Sequence, residues 1–336
     1  MTQAPPPPPR PARPPDGGER SPSAPPPRVL YLGYGAAGCA CMAELIAAGC
    51  EIAGVLCRRS DRAEHGRAGT SVWSDARRLG LRLFDATDPN APGFVAEVRG
   101  LAPDLLLSVQ YDRILKPPLL AVPRHGAFNL HFGPLPRLRG CFPTKWAILG
   151  DEPAGVTLHA IDPGIDSGDV VAQVLVPLAA GETDQTLYHR LERAAVALFR
   201  EQVPWMRDLR PPERRRQDAS LATYHPKEIP YQGIIDWQRE AAWIERFIRA
   251  FTFPPHPAAR TWWHGEEVQI RAPVALGDTL PGSPGEISPC GGHAIAVCCG
   301  TGSLRIDEVI LGGSARPASV LTGGAPAGRR FTAEAR

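Results

Sequence analysis

Three polar residues stand out in the middle of the chain. Asn129 and His131 flank Leu130, and Asp166 follows in the Gly-rich stretch Pro163-Gly164-Ile165-Asp166-Ser167-Gly168-Asp169. An amide donor, an imidazole and a carboxylate are the groups needed to carry a carbonyl carbon onto an amine. The amide stabilises the oxyanion of the tetrahedral intermediate, and the other two move the proton that the amine must lose. The trio implies acyl-group transfer without a covalent enzyme intermediate. Each residue alone has a plainer role: an Asn after a strand caps a turn, a solitary His is usually a hydrogen-bonded structural one, and an Asp among glycines closes an Asx turn. Their joint occurrence, in order, is what points to chemistry.

The elements that must position them are legible from the apolar pattern. Leu105-Leu106-Leu107-Ser108-Val109 reads as a buried parallel strand. In Gly126 to His131 the alternation puts Asn129 and His131, two apart on an extended backbone, on one face. Val156 to Ile161 alternates again and is expected to present Asp166 beyond its carboxyl end, where ligands bind in open α/β sheets.

A second motif competes. Gly33-Tyr34-Gly35-Ala36-Ala37-Gly38 follows the apolar run Val29 to Leu32 and precedes a helix-like stretch, Ala40 to Ala48, which is the spacing of a dinucleotide-binding turn. The next strand, Glu51 to Leu56, should then end in an acidic residue that holds the ribose, and it runs instead into Cys57-Arg58-Arg59. An NADP-dependent oxidoreductase using Arg58 and Arg59 on a 2′-phosphate stays open. The plainer reading is that small residues permit a tight turn and close helix packing.

The blocks Asn129-Leu130-His131, Gly133-Pro134-Leu135-Pro136-Arg137-Leu138-Arg139-Gly140, Trp146-Ala147-Ile148, Gly155-Val156-Thr157 and Ile165 to Asp169 together resemble the 10-formyltetrahydrofolate-dependent formyltransferase family. The likeness runs from about Val29 to Gly312. It implies that Asn129 donates to the oxyanion, that His131 acts as general acid/base or electrophile beside it, and that Asp166 orients His131 and relays the amine's proton. It implies 10-formyltetrahydrofolate as co-substrate, with Gln110, Tyr111, Asp112, Arg113, Ile114 and Leu115 near the pterin and Gly164 on the aspartate side. His159 is either a folate-side residue or a buried, hydrogen-bonded histidine. Two positions depart from the family pattern: Leu138 stands where an aromatic residue is common, and Gly133 where a Ser is.

Composition bounds the rest. With 336 residues, 43% of them hydrophobic, and a net charge of +2, the chain can build a substantial core. No apolar run approaches the ~20 residues of a membrane span, and the start lacks a signal-peptide layout. The eight cysteines form no Cys-x-x-Cys pair and no zinc spacing. The expectation is a reduced, cytoplasmic enzyme with no metal and no membrane partner. The first 28 residues hold twelve prolines and cannot fold on their own.

Residues 29–209 read as a mainly parallel, Rossmann-like α/β catalytic domain, with a helix over Glu182 to Trp205. A polar, Pro-bearing linker covers 210–223. A small second domain covers 224–318, with an amphipathic helix over Trp237 to Phe251 and alternating segments at Thr261 to Arg271, Ala294 to Cys298 and Leu304 to Leu311. The family likeness implies a small OB-like β-barrel there, and a homodimer is open. A tail, 319–336, closes the chain.

Charge bears on the acceptor. From Pro211 to Arg336 there are 14 Lys and Arg against 13 Asp and Glu, a balance of +1, where a tRNA-binding domain should carry a basic face. The run Arg214-Arg215-Arg216 is the best phosphate-contact candidate, although a solvated linker is the favoured reading of it. The expected acceptor is a small primary amine, an amino sugar or a biosynthetic amino acid, with Trp146, Tyr224, Trp237 and Trp262 available for stacking. Methionyl-tRNA is the alternative, and a silent binding module is the third class.

Overall fold

The computed structural model describes residues 25–57, 71–85, 88–254, 256–322 and 330–334. Arg58, Arg59 and nearly all of the Pro-rich start lie outside these residues. The first part is a six-stranded sheet with the order β2-β1-β3-β4-β6-β7, built from β1 (Arg28–Gly33), β2 (Glu51–Cys57), β3 (Leu105–Val109), β4 (Ala127–His131), β6 (Ala154–Ala160) and β7 (Val170–Val176). The four strands from β2 to β4 pair in parallel, whereas β6 runs antiparallel to β4, and β7 to β6. The expected layout therefore needs one correction. The carboxyl end of β6 lies beside the start of β4, with Phe128 opposite Ala160, so Asp166 reaches His131 by folding back across the sheet rather than by extending past a shared strand end.

Two apolar layers hold the sheet. On one face Val29, Tyr31, Leu105, Leu107, Phe128, Leu130, Val156 and Leu158 pack with helices α1 (Gly35–Ala47) and α6 (Asp184–Asp208). On the other, Leu30, Leu32, Leu106 and Ala127 pack with α3 (Pro92–Leu101) and the short α4 (Pro117–Leu120), while α2 (Val72–Arg78) covers the first face near α1. Helix α6 begins at a capping box formed by Thr183 and Thr186. It continues past the expected end and through the exposed Pro204 because Val203 and Met206 remain buried on either side. Such tertiary burial, about 1.5–3 kcal/mol per large apolar side chain, sustains the turn that the proline weakens.

Two of the three glycines in the turn after β1, Gly33 and Gly38, are packed against side chains, and the third, Gly35, has a positive φ of 65°. A Cβ on Gly38 would stand 2.9 Å from Val72 Cγ2, and one on Gly33 2.5 Å from Tyr31 Cε1. The buried Tyr31 donates its hydroxyl to the Gly38 carbonyl at 2.6 Å, and burial pushes its phenol up, which keeps the proton in place. The fingerprint spacing thus serves close packing.

After α6 the chain crosses to a second unit. Helix α7 (Ala241–Ala250) starts later than its apolar spacing suggests, because Trp237 is buried, with its indole N–H on Thr261 Oγ1 at 3.0 Å, and the Ala241 N–H is tied to the Thr301 carbonyl. Trp237 is therefore a core residue and unavailable to stack on an acceptor. Strands β9 (Ala259–Trp263), β10 (Glu266–Ile270), β11 (Ala275–Gly277), β12 (Ile287–Pro289), β13 (Ile295–Cys298), β14 (Ser303–Ile306), β15 (Glu308–Leu311) and β16 (Ser314–Pro317) form two four-stranded sheets whose named pairs are all antiparallel, in the orders β16-β15-β10-β9 and β11-β14-β13-β12. The single stretch expected at Thr261 to Arg271 is a hairpin of β9 (Ala259–Trp263) and β10 (Glu266–Ile270), turning at His264 and Gly265, both of positive φ. Val268, Ile270, Ile295, Val297, Leu304 and Ile306 belong to one apolar core that is continuous with that of the first unit. No helix among the described residues is long and apolar enough to cross a membrane.

Candidate active site

The site is a change of character along two rows that cross the sheet. On the face that carries Leu30, Leu32 and Leu106, the register places Ser108 opposite Asn129 and Asn129 opposite His159; one step on, His131 lies opposite Thr157 and Thr157 opposite Gln173. Strand periodicity puts these residues on one face, while Phe128, Leu130, Val156 and Leu158 enter the opposite core. A polar patch has been built where the apolar layer stops. His131, Thr157 and His159 are 8, 0 and 2% exposed, so each needs hydrogen-bond partners.

The lower row anchors a loop. Thr157 donates its hydroxyl to the Gly133 carbonyl at 2.7 Å and accepts the Leu135 N–H at 3.2 Å; Gln173 donates to the Leu135 carbonyl at 2.7 Å. This anchoring carries the chain back to Leu138, whose carbonyl accepts His131 Nε2–H at 2.9 Å. With Nε2 committed as donor, neutral His131 keeps a lone pair on Nδ1. Gly133 is where the family pattern favours Ser, and the reason for glycine here is steric: a Cβ would stand 2.5 Å from His131 Nε2.

Asp166 completes the cluster. It has φ 51°, and its loop is closed by Asp162 Oδ1, which accepts the Gly164 N–H and the Ser167 hydroxyl. Gly168 has no room for a side chain, since a Cβ would stand 1.9 Å from the Ala160 carbonyl oxygen. The Asp166 carboxylate faces His131 Nδ1 at 3.5 Å and His159 Nε2 at 3.4 Å, and accepts the Gly140 N–H at 2.9 Å. Burial alone would raise its proton affinity, but the two imidazoles, whenever they carry a proton on the nitrogen that faces it, and the Gly140 N–H outweigh that and hold it well below the usual carboxylate range. It is an anion throughout the neutral range.

His159 Nδ1–H donates to the Ala160 carbonyl at 2.8 Å, leaving its Nε2 to accept an Asn129 amide hydrogen at 3.2 Å. Asn129 Nδ2 also reaches Asp166 Oδ1 at 3.5 Å. Each imidazole thus has one nitrogen tied to a backbone carbonyl and the other turned toward Asp166. The half-buried Asn129 amide stands between them, and the assembly can offer an N–H to a developing oxyanion and take a proton from an attacking amine.

The fold brings Asn129, His131, His159 and Asp166 together, with His159 inside the cluster. Gly164 sits in the exposed outer part of the aspartate loop. The segment from Gln110 to Leu115 follows β3 beside the end of β4: Gln110 adopts φ 59°, Arg113 and Ile114 are exposed, and Leu115 is buried in the second apolar cluster, so its side chain faces core. Tyr111 is half-buried, and burial pushes its phenol up to about 12. Sequence reasoning did not single out Thr157 or Gln173 for this role. The alternation that shows Asn129 and His131 on one face applies equally to Thr157 and His159, and is the signal that could have found Thr157.

Comparison with known proteins bears on the family and the fold. The formyl transferase pattern matches residues 39–203, and the pattern for the formyl transferase C-terminal domain matches residues 229–324. A methionyl-tRNA formyltransferase of Geobacter sulfurreducens is 32% identical over 294 residues, covering 86% of this chain and 90% of the relative. The chain belongs to the formyl transferase family. A second methionyl-tRNA formyltransferase, from Citrifermentans bemidjiense, is 33% identical over 296 residues, with coverage of 86% and 90%. Among solved structures, the fold of this formyltransferase is similar to that of an N-formyltransferase from Helicobacter canadensis in complex with folinic acid and dTDP-3-aminofucose, with a TM-score of 0.66 at 19% identity, covering 83% of this chain and 98% of that one. It is also similar to HypX from Aquifex aeolicus in complex with tetrahydrofolic acid, with a TM-score of 0.58 at 20% identity, covering 89% and 47%.

Proposed function

We propose that the protein transfers the formyl group of 10-formyltetrahydrofolate to a small primary amine. The observation that carries the reading is the convergence of Asn129 and His131 on the Asp166 carboxylate, each 3.5 Å from one of its oxygens. The formyl oxygen is placed at Asn129 Nδ2, where it replaces the longer of the two contacts of that amide, the one to Asp166. The amine arrives neutral and attacks the formyl carbon. Its proton passes to the His131–Asp166 pair, where the carboxylate stabilises the imidazolium that forms, and a proton is returned to N10 of the folate as the bond from the formyl carbon to N10 breaks and tetrahydrofolate leaves. An amide donor fixed in this way is worth about 3–4 kcal/mol of barrier. The folate stands against the segment from Gln110 to Leu115, where the exposed Arg113 and Ile114 and the backbone are the available contacts.

For the acceptor, the arginines of the second unit support a small molecule. Arg249, Arg260 and Arg305 are paired with Glu245, Glu267 and Asp307 at 2.6, 3.5 and 2.9 Å, so three of its cations are matched by carboxylates of the same chain. Arg214 lies over the Phe128 ring, so one member of the arginine run serves packing. A ring-bearing amine has Tyr224, which is 54% exposed, and Trp146, stacked on His225 at 4.2 Å, near Gly140. Methionyl-tRNA is the second reading, favoured by the names of the relatives that share 32 and 33% of their residues with the chain.

Titration calorimetry with a stable 10-formyltetrahydrofolate analogue and with NADP tests the donor: binding of the first alone is expected, and binding of NADP alone would contradict the reading. A screen of amino-sugar nucleotides, amino acids and methionyl-tRNA then decides the acceptor, and turnover confined to the tRNA would overturn the small-molecule assignment.

A further inference from the structure

The segment that joins the two units is more than a spacer. From Arg215 to His225 it runs across both loops that set the His131–Asp166 pair. Arg215 and Val170 exchange backbone hydrogen bonds at 2.8 Å each. Thr223 accepts the Leu138 N–H on its hydroxyl at 2.8 Å and the Arg139 N–H on its carbonyl at 3.0 Å, and the His225 carbonyl accepts the Cys141 N–H at 2.9 Å. Gln217 lies between these attachments and is 8% exposed. Its amide nitrogen donates to the Asp166 carbonyl at 2.8 Å and to the Gly168 carbonyl at 2.7 Å, while its oxygen accepts Nε and Nη2 of Arg139 at 3.1 and 2.7 Å.

We infer that Gln217 is a positioning residue for catalysis, and that through it the interdomain segment sets the Asp166 carboxylate against His131. This rests on the site reading above. The contacts close a ring. Leu138 and Gly140, the neighbours of Arg139, hold His131 Nε2 and the Asp166 carboxylate respectively. Gln217 ties the Arg139 guanidinium to the backbone of Asp166 itself. Asp166 occupies the left-handed region, φ 51°, a conformation that persists when surrounding contacts over-determine it. The two carbonyl contacts of Gln217, one on Asp166 and one two residues later, supply such a constraint from outside the loop. Only an amide suits the position. Its donor end meets two carbonyl oxygens and its acceptor end meets two guanidinium N–H groups. A carboxylate of the same shape would keep the Arg139 contact and direct an oxygen at two oxygens.

Gln217→Glu is therefore the informative variant, since it keeps volume and the arginine pairing and removes only the donors. The test uses the full chain with isotope-labelled imidazoles observed at a fixed neutral pH. Asp166→Asn is expected to displace the ring-nitrogen resonances of both His131 and His159. Gln217→Glu and Gln217→Ala are expected to displace the same resonances in the same direction while the melting transition stays cooperative, and to add nothing in the Asp166→Asn background, as two residues acting through one contact should. In turnover of 10-formyltetrahydrofolate with hydroxylamine as surrogate amine, Gln217→Glu should lower kcat by about 10- to 100-fold, the order of loss that accompanies a misplacement of about an ångström, with KM for the folate unchanged. Resonances unmoved by Gln217→Glu but moved by Asp166→Asn would overturn the role of Gln217. Resonances unmoved by Asp166→Asn would remove the histidine–aspartate pairing itself, and the inference with it.

Discussion

The glycine turn after β1 and the polar rows across β4 and β6 lie in one sheet and offer opposite lessons. The first has the spacing of a ligand-binding fingerprint, yet Tyr31 and Val72 fill the space beside Gly33 and Gly38, and Gly35 has the positive φ, 65°, that a tight turn requires. The second has no regular spacing, with 35 positions separating His131 from Asp166, yet it gathers the side chains of Asn129, His131 and His159 around one carboxylate. A motif marks a site only where the surrounding side chains leave room for a ligand. A buried polar cluster whose hydrogen bonds run partly to one another is the stronger indication, because burying it without a use costs stability.

The contrast breaks most easily at the polar cluster. His131→Ala and Asp166→Ala are each expected to lower turnover by at least ~100-fold while leaving folate affinity nearly unchanged, as measured by steady-state kinetics beside calorimetry. Gly133→Ser comes next. Its Cβ must displace the His131 ring, so turnover should fall by about 10- to 100-fold although the variant restores the residue common in the family. On the other side of the comparison, Gly38→Ala meets Val72 Cγ2 and should cost about 1–3 kcal/mol of stability in urea unfolding, the ordinary cost of overpacking, with turnover per folded molecule unchanged.

Acid sharpens the electrostatic half of the contrast. Because Asp166 is held ionised below the usual carboxylate range, the folded state releases a proton that the unfolded chain would bind below about pH 4. Its contribution is therefore fully present above that value and is lost as pH falls toward the folded value. The stability of the wild type relative to Asp166→Asn should be constant from about pH 7 to 5 and decline below about pH 4. The smallest effect belongs to the surface: Arg260→Ala should change stability by less than about 1 kcal/mol, since its pair with Glu267 is more than a third exposed.

The legible parts of this fold are those fixed by local periodicity. The alternation from Gly126 to His131 gives the shared face of Asn129 and His131, and the apolar run at Leu105 gives a buried strand. The direction of β6 is not local. An alternating strand fits a parallel or an antiparallel neighbour equally well, and the choice is made by pairing with β4 and β7. The start of α7 was misjudged because the indole of Trp237 has its partner on β9, a contact between distant residues. Gln217 was invisible for a related reason. A glutamine among arginines and prolines has the composition of a solvated linker, and only the return of the Asp166 loop gives its amide two carbonyls to bind.

The most direct measurement is single-turnover formyl transfer by Asn129→Ala, made beside calorimetric titration of the folate donor. If Asn129 Nδ2 stabilises the oxyanion, donor affinity is kept within about threefold and the transfer rate falls at least ~100-fold. A rate close to that of the wild type at unchanged donor affinity would show that the charge develops elsewhere and would contradict the mechanism.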